Sequence, residues 1–151
     1  IQELPNGAGI RAIAGKKRVT LINITSSRML NAYGFLSRIF AVFEEFQTAV
    51  DLIATSEVSV SVTIDDSARV DSIVDSLERY GTVSVEHDKA IVCLVGQDLW
   101  KDSTFTAGVF NCLSTTSVRM ISLGSSDTNL SLVVPEIDLE KTMRTLHDRF
   151  F

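Results

Sequence analysis

The sequence predicts an α+β fold of two βαββαβ units, each an antiparallel sheet with its helices on one face, the first unit inserted in the second. Three observations lead there. Strand-like and helix-like patterns follow one another as βαββαβ and begin again at Ala90. The stretch Thr55-Ser56-Glu57-Val58-Ser59-Val60 is matched in type by Asp127-Thr128-Asn129-Leu130-Ser131-Leu132 at a spacing of 72 residues, and duplication is the simplest account. The second copy ends on a helix without a final strand, while a spare strand stands ahead of the first copy.

Residues 1–9, with Pro5, Gly7 and Gly9, read as a linker. Residues 10–15 alternate weakly as a strand and are assigned to the second unit, so that 10–16 with 89–151 forms one unit and 19–88 the other. Residues 19–25 carry apolar side chains on both faces, the pattern of a strand buried within a sheet. Gly34 then leads into a helix, because Phe35, Leu36, Ile39, Phe40, Phe43 and Phe46 recur with a period near 3.6. Residues 49–54 and 57–64 are strands, the second alternating Val58, Val60, Val62 and Ile64 against Ser59, Ser61 and Thr63. Asp65-Asp66-Ser67 supplies N-cap residues for a helix marked by Val70, Ile73, Val74, Leu77 and Tyr80, and Gly81 ends it in the C′ position. Val83 and Val85 mark a closing strand.

In the second copy, 90–96 is a strand and Phe105, Val109, Phe110 and Leu113 mark a helix. Residues 118–123 and 129–134 are strands, and Leu139, Met143, Leu146 and Phe150 mark the last helix. Units of about 70 residues are marginal alone, and an exchanged strand joins them into one stable body. This ferredoxin-like arrangement serves enzymes, RNA binders and small-molecule sensors alike, so function has to come from the site.

Composition narrows the field. A net charge of −5 argues against a nucleic-acid partner, and the one basic cluster, Lys16-Lys17-Arg18, reads as a solvated connection between strands. No window is apolar for long enough to span a membrane, and the start has neither a basic nor an apolar leader segment, which places the protein in the cytoplasm. The lack of an initiator Met marks it as a fragment whose upstream part has been removed. Cys93 and Cys112 sit in core-like sequence and read as reduced thiols. His87 and His147 have no Cys or His at ligand spacing, so no metal site is expected. Catalysis has little support, since no phosphate loop and no His beside a nucleophile is present. An RNA reader would need exposed aromatics on the central strands, where Ser59, Ser61 and Thr63 stand instead.

The residues that suggest binding lie between Met29 and Thr63. Gly34-Phe35-Leu36 enters a helix, whose first unpaired N–H groups and positive dipole end suit a carboxylate. Asp51 stands between Val50 and Leu52 in strand-like sequence where Asp is disfavoured, and Glu57 is a second acid next to the hydroxyls of Thr55 and Ser56. A helix start for a carboxylate, with acids and hydroxyls for ammonium groups, complements an amino acid at both ends. Solvated acids on a sheet edge remain the alternative.

Met29-Leu30 with Gly34-Phe35-Leu36, Val50-Asp51-Leu52-Ile53, Thr55-Ser56-Glu57-Val58-Ser59-Val60, Arg119-Met120-Ile121-Ser122 and Asn129-Leu130 together resemble the C-terminal regulatory region of aspartate kinases, most closely the lysine-sensitive kind. The likeness covers nearly the whole chain from Ile10. It implies two ACT units, the first binding lysine at a dimer interface through Met29, Gly34, Phe35, Leu36, Asp51, Ser56, Glu57 and Val58, the second supporting the homodimer. It also implies a kinase domain in the same chain that would use ATP and Mg, while this fragment carries no cofactor and no catalysis of its own. Two other readings stay open: the same module tuned to threonine, and an acylphosphatase-type enzyme using Arg28 and Asn31, though without a glycine-rich phosphate cradle.

Overall fold

The computed structural model describes residues 9–27 and 33–151. Among these residues the α-helices and strands follow in the order β1 (Ile10–Thr25), α1 (Phe35–Glu45), β2 (Ile53–Thr55), β3 (Ser59–Ile64), α2 (Val70–Leu77), β4 (Thr82–Gly96), α3 (Ser103–Cys112), β5 (Met120–Leu123), β6 (Asn129–Pro135) and α4 (Leu139–Phe150). The chain divides into two compact units, Val19–His87 and the residues up to Arg18 taken with Asp88–Phe151. These are called the first and second unit below.

Where the sequence reads four strands at 10–15, 19–25, 83–85 and 90–96, the chain forms two long ones, β1 and β4. Each gives one half to each unit. The apparent breaks come from Arg18 (φ 59°) and Asp88 (φ 57°), left-handed residues within the strands at the points where they pass from unit to unit. One such residue upsets the alternation of side chains, as a bulge does, while the strand continues. Lys16-Lys17-Arg18 is therefore strand, not connection.

In the first unit the strand order is β2-β3-β1-β4, with β1 and β3 antiparallel from Thr20↔Ile64 to Thr25↔Ser59. Helix α1 contributes Phe35, Ile39, Val42 and Phe43, and α2 contributes Val70, Ile73 and Leu77, to a core with Ile22, Ile24, Val60, Val62 and Ile64. The alternation in β3 does not leave its polar face open. Ser61 and Thr63 are also buried, and both are paired: Ser61 Oγ accepts from Asn23 Nδ2 at 2.7 Å, and Thr63 Oγ1 accepts from the Leu52 N–H at 2.9 Å. A buried hydroxyl with a partner avoids the cost of lost hydration.

Two local expectations need correction. Asp65-Asp66-Ser67 does not cap α2: its N-cap is Arg69, without a side-chain bond, and Asp66 Oδ1 accepts instead from the Ala68 N–H in the preceding turn. Gly81 lies beyond the helix, which ends at Leu77, and is not in the left-handed region. Its small size is required for another reason, since a Cβ there would run into the backbone carbonyl of Thr25.

In the second unit the order is β1-β4-β6-β5, with β4 and β6 antiparallel from Lys89↔Pro135 to Val95↔Asn129. Taking β4 as its first strand and β1 as its last, this repeats the order of the first unit, with the N-terminal half of β1 as the fourth strand. Ile10 is buried among Ala90, Val92, Leu94, Leu132 and Leu146 in this unit's core. The 49–54 and 118–123 strands are shorter than the sequence suggests, at Ile53–Thr55 and Met120–Leu123, and both lie at sheet edges. Short edges limit unwanted pairing.

Candidate functional site

Helix α1 opens on Gly34, an N-cap in the left-handed region (φ 76°, ψ 7°), with no side-chain cap and no acidic residue in the first turn. A Cβ placed on Gly34 would meet nothing within 4 Å, so the glycine serves the backbone conformation and leaves open space before the helix. The first-turn N–H groups thus face outward without a capping side chain, at the positive end of the dipole. Phe35 anchors this end in the core, edge-on to Tyr80 at 6.4 Å, and Leu36 is 40% exposed beside it.

Contacts within the first unit bring the β2–β3 hairpin to the same end. Gly81, next to Tyr80, packs on the Thr25 carbonyl, and the following Ser26 N–H donates to the Val58 carbonyl at 2.8 Å. The hairpin is pinned by the Ser56 N–H to the Ser59 carbonyl at 2.9 Å and by the two serine hydroxyls at 2.8 Å. Ser56, Glu57 and Val58 are all exposed at its tip.

Asp51 stands elsewhere. Its N–H donates to the Thr63 carbonyl at 2.8 Å, the Thr63 N–H donates to the Leu52 carbonyl at 3.0 Å, and the Leu52 N–H donates to the Thr63 hydroxyl at 2.9 Å. Two residues therefore face one, a bulge that re-aims Asp51 and explains why β2 starts only at Ile53. Asp51 and Glu57 occupy opposite ends of β2, and Asp51 to Thr55 alone spans roughly 13 Å at the usual strand rise. The structure thus groups Gly34, Phe35, Leu36, Ser56, Glu57 and Val58 at one end and sets the exposed Asp51 at the other end of the same edge. Met29 lies outside the described residues, as do Arg28 and Asn31.

The same end holds a polar hollow of about 270 Å³ lined by Thr25, Ser26, Ser27, Tyr80, Gly81 and their neighbours, which pattern reading missed. Gly81 is its one signal in the sequence, where its spacing suggests a helix cap instead. The second unit differs at the matching place. Helix α3 is capped by its own Asp102, whose Oδ1 accepts from Thr104 N at 3.0 Å and Phe105 N at 3.2 Å. Trp100 Nε1 donates to Asp127 Oδ1 at 2.7 Å, tying that loop to the β5–β6 hairpin. A carboxylate already occupies the helix start in the second unit, and among the described residues none caps the start of α1 in the first.

Other chemistries find little to work with. Among the described residues no group of three or more His, Cys, Asp or Glu is placed to hold a metal ion, and no helix is long and apolar enough to cross a membrane. Both cysteines are free, and burial pushes the Cys112 thiol up, partly opposed by Arg149, so it is no ready nucleophile.

Comparison with known proteins gives the family. The ACT domain family model matches residues 92–150. Aspartokinase 3 of Arabidopsis thaliana, a chloroplastic protein, is 37% identical over 95% of the chain, and lysine-sensitive aspartokinase 3 of Escherichia coli is 36% identical over 93%. The chain spans 28% and 33% of the length of these two curated relatives. Among solved structures, E. coli aspartokinase III in complex with lysine and aspartate superposes over 99% of this chain and 35% of its own, with a TM-score of 0.86 and 35% identity. A chain from Porphyromonas gingivalis W83, assigned as the C-terminal regulatory domain of aspartate kinase, is 38% identical, covers 93% of this chain with 96% of its own length, and gives a TM-score of 0.82. With identity at that level over nearly the full length of both, the chain belongs to the C-terminal, ACT-type regulatory domains of aspartate kinase.

Proposed function

We propose that this regulatory domain senses lysine, and that lysine lies extended along the β2 edge of the first unit. The observation that carries the reading is the uncapped start of α1 beside the Glu57 hairpin, with Asp51 at the far end of the same strand. The ligand's carboxylate takes the free N–H groups at Phe35 and Leu36, and its α-ammonium takes Glu57 with the Ser56 hydroxyl. The ε-ammonium, six bonds away, reaches Asp51. The lysine carried by the E. coli relative supports the same ligand class. Binding holds back the catalytic part of an aspartate kinase, which uses ATP and Mg and acts in the cytoplasm. Calorimetry of the chain against lysine, threonine and methionine tests this: lysine is expected to bind, with about one site per chain, since Asp102 fills the matching place in the second unit. Preference for threonine or methionine would overturn it.

The β2 edge also calls for a partner. Its strand is only three residues long and carries Ile53, 47% exposed, and two such edges side by side cover one another and enclose the ligand. A homodimer is the expected species, stabilised by lysine through mass action. Sedimentation that shows a monomer at high micromolar concentration, with and without lysine, would refute it.

A further inference from the structure

We propose that Tyr80 and Gly81 are positioning residues of the effector site in the first unit, and that together they fix the distance between the start of α1 and the Ser56–Val58 tip of the β2–β3 hairpin. The inference rests on the reading of that end as the seat of the ligand's α-carboxylate and α-ammonium, and it names what holds the two halves in place.

Both residues follow α2, in a turn closed by the Tyr80 N–H donating to the Leu77 carbonyl at 2.9 Å. Each bears on one half of the site. The Tyr80 ring packs against the first unit's core and stands edge-on to Phe35, with an interplanar angle of 80°. Phe35 is the first residue of α1, so this contact sets where the helix begins. Gly81 bears on the other half through the main chain. A Cβ there would run into the Thr25 carbonyl oxygen and come within 2.9 Å of the Ser26 Cβ. From these two residues the contact reaches the hairpin by two short routes. The Ser26 N–H donates to the Val58 carbonyl at 2.8 Å, and Thr25 stands opposite Ser59, which holds Ser56 through the main chain at 2.9 Å and the hydroxyls at 2.8 Å.

Gly81 is not in the left-handed region, so its backbone tolerates alanine and the effect of an added methyl is a push against packed main chain. In this unit β1 lies between β4 and β3, so a push from residue 81 drives the end of β1 toward the hairpin. The helix yields less readily. Phe35, Ile39, Val42 and Phe43 are buried, whereas Ser56, Glu57 and Val58 are exposed on a hairpin whose strand β2 has three residues. The ammonium half therefore moves and the carboxylate half stays.

Three ligands that differ by one charge read this out: lysine has both ammonium groups, norleucine lacks the ε-ammonium, and 6-aminohexanoate lacks the α-ammonium. Gly81→Ala is expected to weaken lysine and norleucine by about tenfold and to leave 6-aminohexanoate within about twofold of the parent. A fold that was merely loosened would weaken all three alike. Tyr80→Leu, which takes the ring away from Phe35, is expected to weaken all three, since each carries a carboxylate for the helix start. Titration of the parent and both variants by calorimetry makes this measurement, and amide exchange without ligand makes a second. In Gly81→Ala the Ser26 amide should exchange faster than in the parent, because its bond to Val58 takes the push. The proposal is overturned if Gly81→Ala leaves Ser26 as protected as in the parent, if it binds lysine as the parent does or loses 6-aminohexanoate as much as lysine, or if Tyr80→Leu binds all three as the parent does. A parent that binds none of the three refutes the lysine reading, and the Ser26 exchange alone then decides whether Gly81 sets the hairpin.

Discussion

Replacing Asp51 by Asn is expected to weaken lysine binding by roughly 10- to 150-fold, because a charge-assisted hydrogen bond contributes about 1.5–3 kcal/mol. Glu57→Gln is expected to cost the same. Both substitutions keep shape and remove charge, and both positions are exposed, so the fold should be unaffected. The two variants part on threonine. That ligand has one ammonium group, which belongs at the hairpin end beside the carboxylate, so Glu57→Gln should weaken whatever threonine binding exists, and Asp51→Asn should leave it alone. The placement of the two acids at opposite ends of β2 is what makes this difference readable. Titration of the parent and both variants with each amino acid checks it. Equal lysine binding by all three proteins would end the two-acid model, and equal loss of threonine in both variants would end the assignment of Asp51 to the ε-ammonium.

Periodicity made the fold legible because packing and period coincide here. Phe35, Ile39 and Phe43 of α1, and Leu139, Leu146 and Phe150 of α4, are buried as a 3.6-residue stripe requires. The buried stripe of α1 is narrower than the period suggests, and Leu36, at its margin, is exposed at the site. The continuity of β1 and β4 was not legible. The left-handed residue in each is Arg18 or Asp88, and sequence reading looks for glycine at such a place. The bulge at Asp51 was hidden for a different reason, since it depends on the Thr63 hydroxyl from a neighbouring strand. Sequence reading therefore finds both acids but not that they mark the two ends of a strand. Ser61 and Thr63, read as an open polar face, are buried because each has a specific partner that only the register supplies.

Deleting residues 1–16 is expected to unfold the second unit preferentially and to leave the first protected. The N-terminal half of β1 stands next to β4 at the end of the second unit's strand order, so its loss opens an edge and removes Ile10, which is 1% exposed in that unit's core. Ile10→Ala alone deletes a buried side chain and should cost about 2–5 kcal/mol. If that cost falls on opening of the second unit, amide exchange in β4 beyond Asp88, in β6 and in α4 should quicken by roughly 30- to 5,000-fold. The amides of α1, β3 and α2 belong to a core that contains no residue before Ile22, and they should exchange far less altered. The point variant guards against the objection that a large deletion disturbs everything at once. Hydrogen exchange read residue by residue makes the measurement. Loss of protection confined to Val19–His87, or equal loss in both units for Ile10→Ala, would show that the N-terminal strand does not belong to the second unit's folding.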